Sequence, residues 1–134
     1  MLFADVSGFT ALTSRLVRLH GSRRGAEEMP RFLNQLYNAL IAEVEVRSGS
    51  VIGFAGDAIT CWFAGDDGTT AVDTALAMQR AMEQFRTVRL DESGLETASL
   101  TLKVSVTVGP VKRYIVGDPS VQLIDVVGGD TVSR

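Results

Sequence analysis

Apolar residues along this chain recur with two periods, and the switch between them outlines the fold. Residues 1–6 are a short apolar run that ends on Asp5-Val6, and Ser7-Gly8 follows as a turn. Phe9, Leu12, Leu16 and Leu19 then fall on one helical face, which predicts a helix over 9–20. A polar, basic stretch at 21–25 breaks it. Met29, Leu33, Leu36, Leu40 and Val44, widened by Tyr37 and Ile41, predict a longer helix that reaches about residue 46. Pro30 fits near its beginning, where the missing N–H has no partner to lose. Ser48-Gly49 ends it.

Residues 51–54 and 58–63 read as two strands around the turn Ala55-Gly56-Asp57, a hairpin signal. After a polar loop at 65–68, Val72, Ala75, Met78, Met82 and Phe85 predict a helix over 70–85 with those residues on its apolar face. Residues 89–98 carry no pattern and read as a loop. Leu100, Leu102, Val104, Val106 and Val108 alternate with polar residues, the clearest half-buried strand in the chain. Residues 111–116 and 121–127 flank the turn Gly117-Asp118-Pro119-Ser120 as a second hairpin. The order β-α-α-β-β-α-β-β-β predicts an α+β fold: a ferredoxin-like βαββαβ core with an appended β-hairpin. The chain reads as a single domain over 1–134, C-terminally truncated. It begins at once in a strand and stops at Ser133-Arg134 in what reads as a helix start, as a fragment of a longer protein would.

Composition narrows the chemistry. A net charge of -3, with no basic run longer than Arg23-Arg24, argues against nucleic acid as the main partner. Cys61 is the single cysteine, so an internal disulfide and a cysteine-built zinc site are both excluded. No run of about 18 apolar residues suggests a membrane span, and the start is too short and uncharged for a signal peptide. A cytoplasmic setting is the simplest expectation.

The predicted topology brings two carboxylates together. In a ferredoxin-like sheet the first and third strands are antiparallel neighbours. Asp5 near the end of the first and Asp57 at the beginning of the third then share one end of the sheet, although they are 52 positions apart. Close carboxylates repel, and cations relieve that repulsion. Mg²⁺ is commonly held by one or two carboxylates plus substrate phosphates. Between the two aspartates, Ser7-Gly8-Phe9-Thr10 opens a helix, whose free N–H groups favour phosphate oxygens. Such a constellation suits two-metal chemistry on a nucleoside triphosphate. Taken singly, each residue has a plainer role. An aspartate in a hairpin is ordinarily turn chemistry, as is Asp118. His20 suits a helix C-terminus, Cys61 and Trp62 read as core, and Arg23 and Arg24 as solvated loop.

These residues resemble a known family. Phe3-Ala4-Asp5-Val6-Ser7-Gly8-Phe9-Thr10 is similar to the first metal-binding motif of class III adenylate and guanylate cyclases, and Phe54-Ala55-Gly56-Asp57-Ala58 to the second. Val108-Gly109-Pro110-Val111 resembles the strand and turn that follow, and residues 127–132 the segment leading into the last catalytic helix. The form of the second motif and the stretch Arg24-Gly25-Ala26-Glu27 are most similar to soluble, bicarbonate-responsive adenylate cyclases and their bacterial relatives. The resemblance implies that Asp5, Asp57 and the Val6 carbonyl hold two Mg²⁺ or Mn²⁺ ions. It further implies that the backbone of Gly8, Phe9 and Thr10 holds the triphosphate of ATP. The ribose 3′-hydroxyl would attack the α-phosphorus, giving cyclic AMP and pyrophosphate, at an interface with a second cyclase domain.

Several positions depart from the family pattern. Gly53 stands where many members have a purine-reading lysine. Ser133 falls where an asparagine is expected, and the arginine four residues beyond it is outside the chain. Asp125 matches a base-contacting aspartate but lacks its lysine partner. This pattern implies the metal-giving half of a two-domain cyclase, with a second pocket for regulation, for instance by bicarbonate. A degenerate cyclase domain that binds nucleotide or regulates a partner half is the alternative. A diguanylate cyclase would need a Gly-Gly-(Asp/Glu)-Glu-Phe hairpin, which Phe54-Ala55-Gly56-Asp57-Ala58 is not.

Overall fold

The computed structural model describes residues 1–91 and 93–131, with the side chains of residues 22–28 and of Asp125 outside the description. Strand β1 (Leu2–Ser7) leads into helix α1 (Phe9–Glu45), then the hairpin β2 (Ser50–Ala55) and β3 (Ala58–Trp62). Helix α2 (Thr69–Met82) ends in a single 3₁₀ turn, Glu83–Phe85. The short strands β4 (Thr87–Arg89) and β5 (Thr97–Ser99), the longer β6 (Thr101–Val106) and the hairpin β7 (Lys112–Asp118) and β8 (Gln122–Gly128) complete the order. Among the described residues β2-β3-β1-β6 form one antiparallel sheet, while β4-β5 and β7-β8 form two ribbons. This strand order is the ferredoxin-like one that the sequence predicts, with the last hairpin appended.

Alternation along β1 sets the two faces of the main sheet. Leu2, Ala4 and Val6 are fully buried, whereas Phe3, Asp5 and Ser7 are half-buried on the opposite face. Ile59 and Cys61 of β3 and Leu102 of β6 share the inner face. Leu12, Leu16, Leu36, Leu40 and Val44 of α1, with Ala71, Met78 and Met82 of α2, close over it. The helices cover one face of the sheet only, so the face that carries Asp5 stays open.

Helix α1 bends where the sequence predicts a break, but the break is one residue wide. Gly21 alone leaves helical geometry, with φ 78° and ψ 164°, a conformation glycine adopts without a steric penalty. His20 before it reaches across to the residue after β4, its Nε2 lying 2.7 Å from the Leu90 carbonyl. That contact gives the residue a tertiary role besides ending a helical segment. Pro30 lies inside the helix, nine residues beyond the bend, and not near the helix beginning as the sequence pattern predicts.

Three sequence expectations are corrected. Residues 89–98 are not all loop, because β4 and β5 pair through Thr87–Ser99, Val88–Ala98 and Arg89–Thr97. The buried face of α2 is Ala71, Thr74, Ala77, Met78 and Met82, while Val72 is 49% exposed. Thr74 can sit in the core because its hydroxyl donates to the Thr70 carbonyl at 2.8 Å. Trp62 is not core: β3 turns it to the open face, where the Arg113 guanidinium lies 5.7 Å from its ring centroid. No helix among the described residues is long and apolar enough to cross a membrane.

Candidate active site

The two aspartates singled out in the sequence converge through strand register. Asp5 stands directly opposite Ala58 in the β1–β3 ladder, so Asp57, the residue before Ala58, lies beside the end of β1. A backbone bond fixes this juncture, with Val6 N–H donating to the Asp57 carbonyl at 3.3 Å. Ala55 pairs with Ala58, leaving Gly56-Asp57 as a two-residue hairpin loop. Gly56 takes φ 63° at its first position, the left-handed region glycine enters freely.

The geometry suits a cation. Asp5 is half-buried and Asp57 exposed. Neither carboxylate accepts a hydrogen bond or pairs with a basic side chain among the described residues. Lys103, opposite Asp5 in the β1–β6 register, makes no ion pair with it. No three acidic, histidine or cysteine side chains converge among the described residues. The side-chain oxygens that could hold a cation at this sheet end are therefore those of two carboxylates, with backbone carbonyls nearby. This is the incomplete oxygen site that Mg²⁺ accepts when phosphates and water supply the rest.

Next to the carboxylates lies a helix start with free donors. Gly8 is the N-cap of α1, with φ 111°, and no side chain caps the first turn. A Cβ on Gly8 would come within 2.4 Å of the Ser99 carbonyl oxygen. Glycine thus lets β1 turn into α1 while pressed against β5. Phe9 and Thr10 follow as the first helical residues, and their N–H groups find no side-chain acceptor there.

Of Asp125 only the backbone position is described. It lies on β8, opposite Ile115, in a ribbon separate from the sheet that holds Asp5 and Asp57. Ser133 lies outside the described residues. Gly53 faces open space, with nothing within 4 Å of a Cβ position.

Sequence reading counted Tyr37 as a flank of the apolar stripe and missed its polar end. Its hydroxyl donates to the Asp57 carbonyl at 3.1 Å. Its ring meets Phe54 edge-on, with centroids 5.8 Å apart, and Phe9 at 6.5 Å. Burial, and then the charges of Asp57 and Asp5, push the Tyr37 phenol above its usual range, so it remains a donor at neutral pH. A hydroxyl-bearing aromatic on the margin of an otherwise aliphatic stripe was the available signal.

Comparison with known proteins follows the same residues. Residues 1–133 match the family described as adenylate and guanylate cyclase catalytic domain. Adenylate cyclase type 10 of Oryctolagus cuniculus is 25% identical over 128 residues, covering 96% of this chain and 8% of that protein. An adenylate cyclase of Anabaena cylindrica is 30% identical over 112 residues, covering 81% of this chain and 20% of that protein. This chain thus spans a small part of the curated relatives it matches. Among solved structures, the adenylyl cyclase CyaB from P. aeruginosa superposes with a TM-score of 0.72 at 20% identity, over 98% of this chain and 65% of that one. The guanylyl cyclase domain of the RhoGC fusion protein from Blastocladiella emersonii gives 0.73 at 21%, over 98% and 67%. At such identities these two structures establish the shared fold.

Proposed function

This chain belongs to the adenylate and guanylate cyclase catalytic domain family, and on that premise we propose that it is the metal-binding half of a two-domain cyclase making 3′,5′-cyclic AMP from ATP. The observation that carries this reading is the β1–β3 register, which puts two unpaired carboxylates beside an uncapped helix start. Residues 1–134 act in it as one catalytic domain, in the cytoplasm, where ATP is available.

Asp5, Asp57 and the Val6 carbonyl are the groups that would hold two Mg²⁺ or Mn²⁺ ions. Bound divalent ions supply acidification of the ribose 3′-hydroxyl and neutralisation of the leaving pyrophosphate. The protein's own contribution is placement. The N–H groups of Gly8, Phe9 and Thr10 receive phosphate oxygens, and the sheet end fixes the carboxylates relative to them. The 3′-oxygen passes its proton to solvent water and bonds to the α-phosphorus. The bond from that phosphorus to the bridging oxygen breaks, and pyrophosphate departs with the electron pair.

Adenine rather than guanine is supported by the names of the curated relatives, all adenylate cyclases among those given above. In this reading a second cyclase domain supplies base and transition-state contacts, because Gly53 offers no side chain where a purine-reading lysine is expected. Bicarbonate regulation rests on the family resemblance alone, with no group of the described site assigned to it. Gly53 also favours a second reading, a degenerate domain that binds nucleotide without turnover. Cyclic AMP production by the full-length protein with Mg²⁺ or Mn²⁺, beside Asp57→Ala, separates the two. Product that drops at least about 100-fold in the variant supports the cyclase, since even outer-shell partners of a metal are worth 10–100-fold. ATP binding with no product from ATP or GTP supports the degenerate domain.

A further inference from the structure

The Asp57 carbonyl accepts two hydrogen bonds that come from different layers of the fold. One is from the Val6 N–H of β1, at 3.3 Å, and the other from the Tyr37 hydroxyl of α1, at 3.1 Å. A carbonyl has two lone pairs, so this acceptor is fully used. The carboxylate of the same residue has no partner among the described residues. The turn is therefore pinned by its backbone while its side chain is left free to bind.

Tyr37 is itself held. Its neighbour Leu36 and, one turn on, Leu40 are fully buried, which fixes this part of α1 against the sheet. Its ring lies between Phe54, which ends three residues before Asp57, and Phe9, which follows the Gly8 turn. The three rings thus join the helix start expected to meet phosphate and the hairpin expected to meet metal. β2 is the edge strand of the sheet, with only β3 beside it. The Tyr37 bond and the Tyr37–Phe54 ring contact tie the turn end of that hairpin to the helical layer.

We propose that Tyr37 is a positioning residue: its hydroxyl, by holding the Asp57 carbonyl, sets where the Asp57 carboxylate stands relative to Asp5 and to the start of α1. The inference rests on the reading of Asp5 and Asp57 as metal ligands. Tyr37 acts through the backbone of Asp57 and touches neither metal nor substrate. Partners that orient a ligand in this indirect way commonly change metal affinity or activity by 10–100-fold. The hydroxyl itself is one partly exposed hydrogen bond, whose loss costs folding stability little.

The test compares wild type, Tyr37→Phe and Asp57→Ala in the full-length protein. Mn²⁺ binding is followed by the paramagnetic signal of free Mn²⁺ in the presence of 3′-deoxy-ATP, which cannot cyclise, and thermal unfolding is measured alongside. The expected result is a Mn²⁺ dissociation constant raised about 10-fold in Tyr37→Phe, with the melting temperature nearly unchanged and binding abolished in Asp57→Ala. Wild-type Mn²⁺ affinity in Tyr37→Phe, while Asp57→Ala fails to bind, overturns the positioning role and leaves the metal site standing. A lowered melting temperature with unchanged Mn²⁺ affinity makes Tyr37 structural only and overturns it equally. Mn²⁺ binding that survives in Asp57→Ala removes the metal reading and this inference together.

Discussion

Val6 donates its backbone N–H to the carbonyl of Asp57 at 3.3 Å, and this bond ties the end of β1 to the loop between β2 and β3. Asp5 precedes the donor and Asp57 carries the acceptor, so the bond holds the backbones of the two aspartates beside each other at this sheet end. Two carboxylates brought close repel each other when both are ionised, and a divalent cation relieves that repulsion.

Neutralising one of these carboxylates should therefore act differently on stability without and with metal. Asp5→Asn in the full-length protein is expected to melt no lower than wild type without added metal. It should also lose most of the stabilisation that wild type gains on adding Mn²⁺ with nucleotide. At metal 100-fold above its dissociation constant that gain is about 2.7 kcal/mol. Thermal melts with and without Mn²⁺ measure it. Equal metal-induced shifts in both proteins would show that Asp5 is no ligand.

Gly8 is predicted to be irreplaceable for two separate reasons. Its φ of 111° is strained for any residue with a side chain, and an added Cβ would lie 2.4 Å from the Ser99 carbonyl. Gly8→Ala must move β5 or unwind the first turn of α1. A loss of about 2–4 kcal/mol in denaturant unfolding is expected, within the range of backbone strain plus a core-edge clash. The contrast is Gly53→Ala, with nothing within 4 Å, which should change stability by no more than about 1 kcal/mol.

The sequence was legible where period and turn chemistry agreed. Asp5 and Asp57 could be paired in advance because the ferredoxin-like order makes their strands antiparallel neighbours, and the Asp5–Ala58 register bears out that adjacency. The bend of α1 was visible in Gly21. What escaped was structure held by tertiary contact. β4 and β5 are three residues each, too short to show alternation, and each is a strand only because the other pairs with it. On α2 the larger Val72 suggested the core face, yet Ala71 and Thr74 are buried, because close packing against the sheet favours small residues there. Trp62 read as core by its hydrophobicity, although strand parity with Cys61 sends it to the other face. Tyr37 escaped because periodicity records only that a residue is apolar, not where a phenol points.

Cys61 gives a prediction in pH. It is fully buried on the inner face of β3, and burial pushes its thiol up to about 11 from an ordinary value near 9. The unfolded chain therefore releases this proton at lower pH than the folded one. The stability that the buried neutral thiol contributes is complete below about pH 9 and is lost as pH rises toward about 11. A two-unit shift corresponds to roughly 2–3 kcal/mol once the window is crossed. Denaturant unfolding of wild type should lose that much more between pH 8 and about 11 than Cys61→Ala does. Parallel pH dependence in the two proteins would mean that the thiol is solvated in the native state.

The β7–β8 ribbon leads to the last prediction. Tyr114 pairs with Val126 and Val116 with Ile124, so the four share one face, and they are 50%, 43%, 46% and 54% exposed respectively. A two-stranded ribbon gains little stability alone, and an exposed apolar patch of this kind marks an interaction surface. Since the proposed activity needs a second cyclase domain, this face is where that domain should rest. Ile124→Lys places a charge at its centre without disturbing the main sheet. Folding stability should stay within about 0.5 kcal/mol of wild type, as for an exposed position. Association with the second domain should weaken by about 2 kcal/mol, the loss typical of a central interface residue, which is roughly 30-fold in affinity. Cyclic nucleotide production should fall with it and recover partly at high protein concentration if the partner domain is on another chain. Wild-type activity at all concentrations in Ile124→Lys would put the domain contact on the open face of the main sheet instead, around Phe3 and Trp62, and would leave the ribbon without a role in assembly.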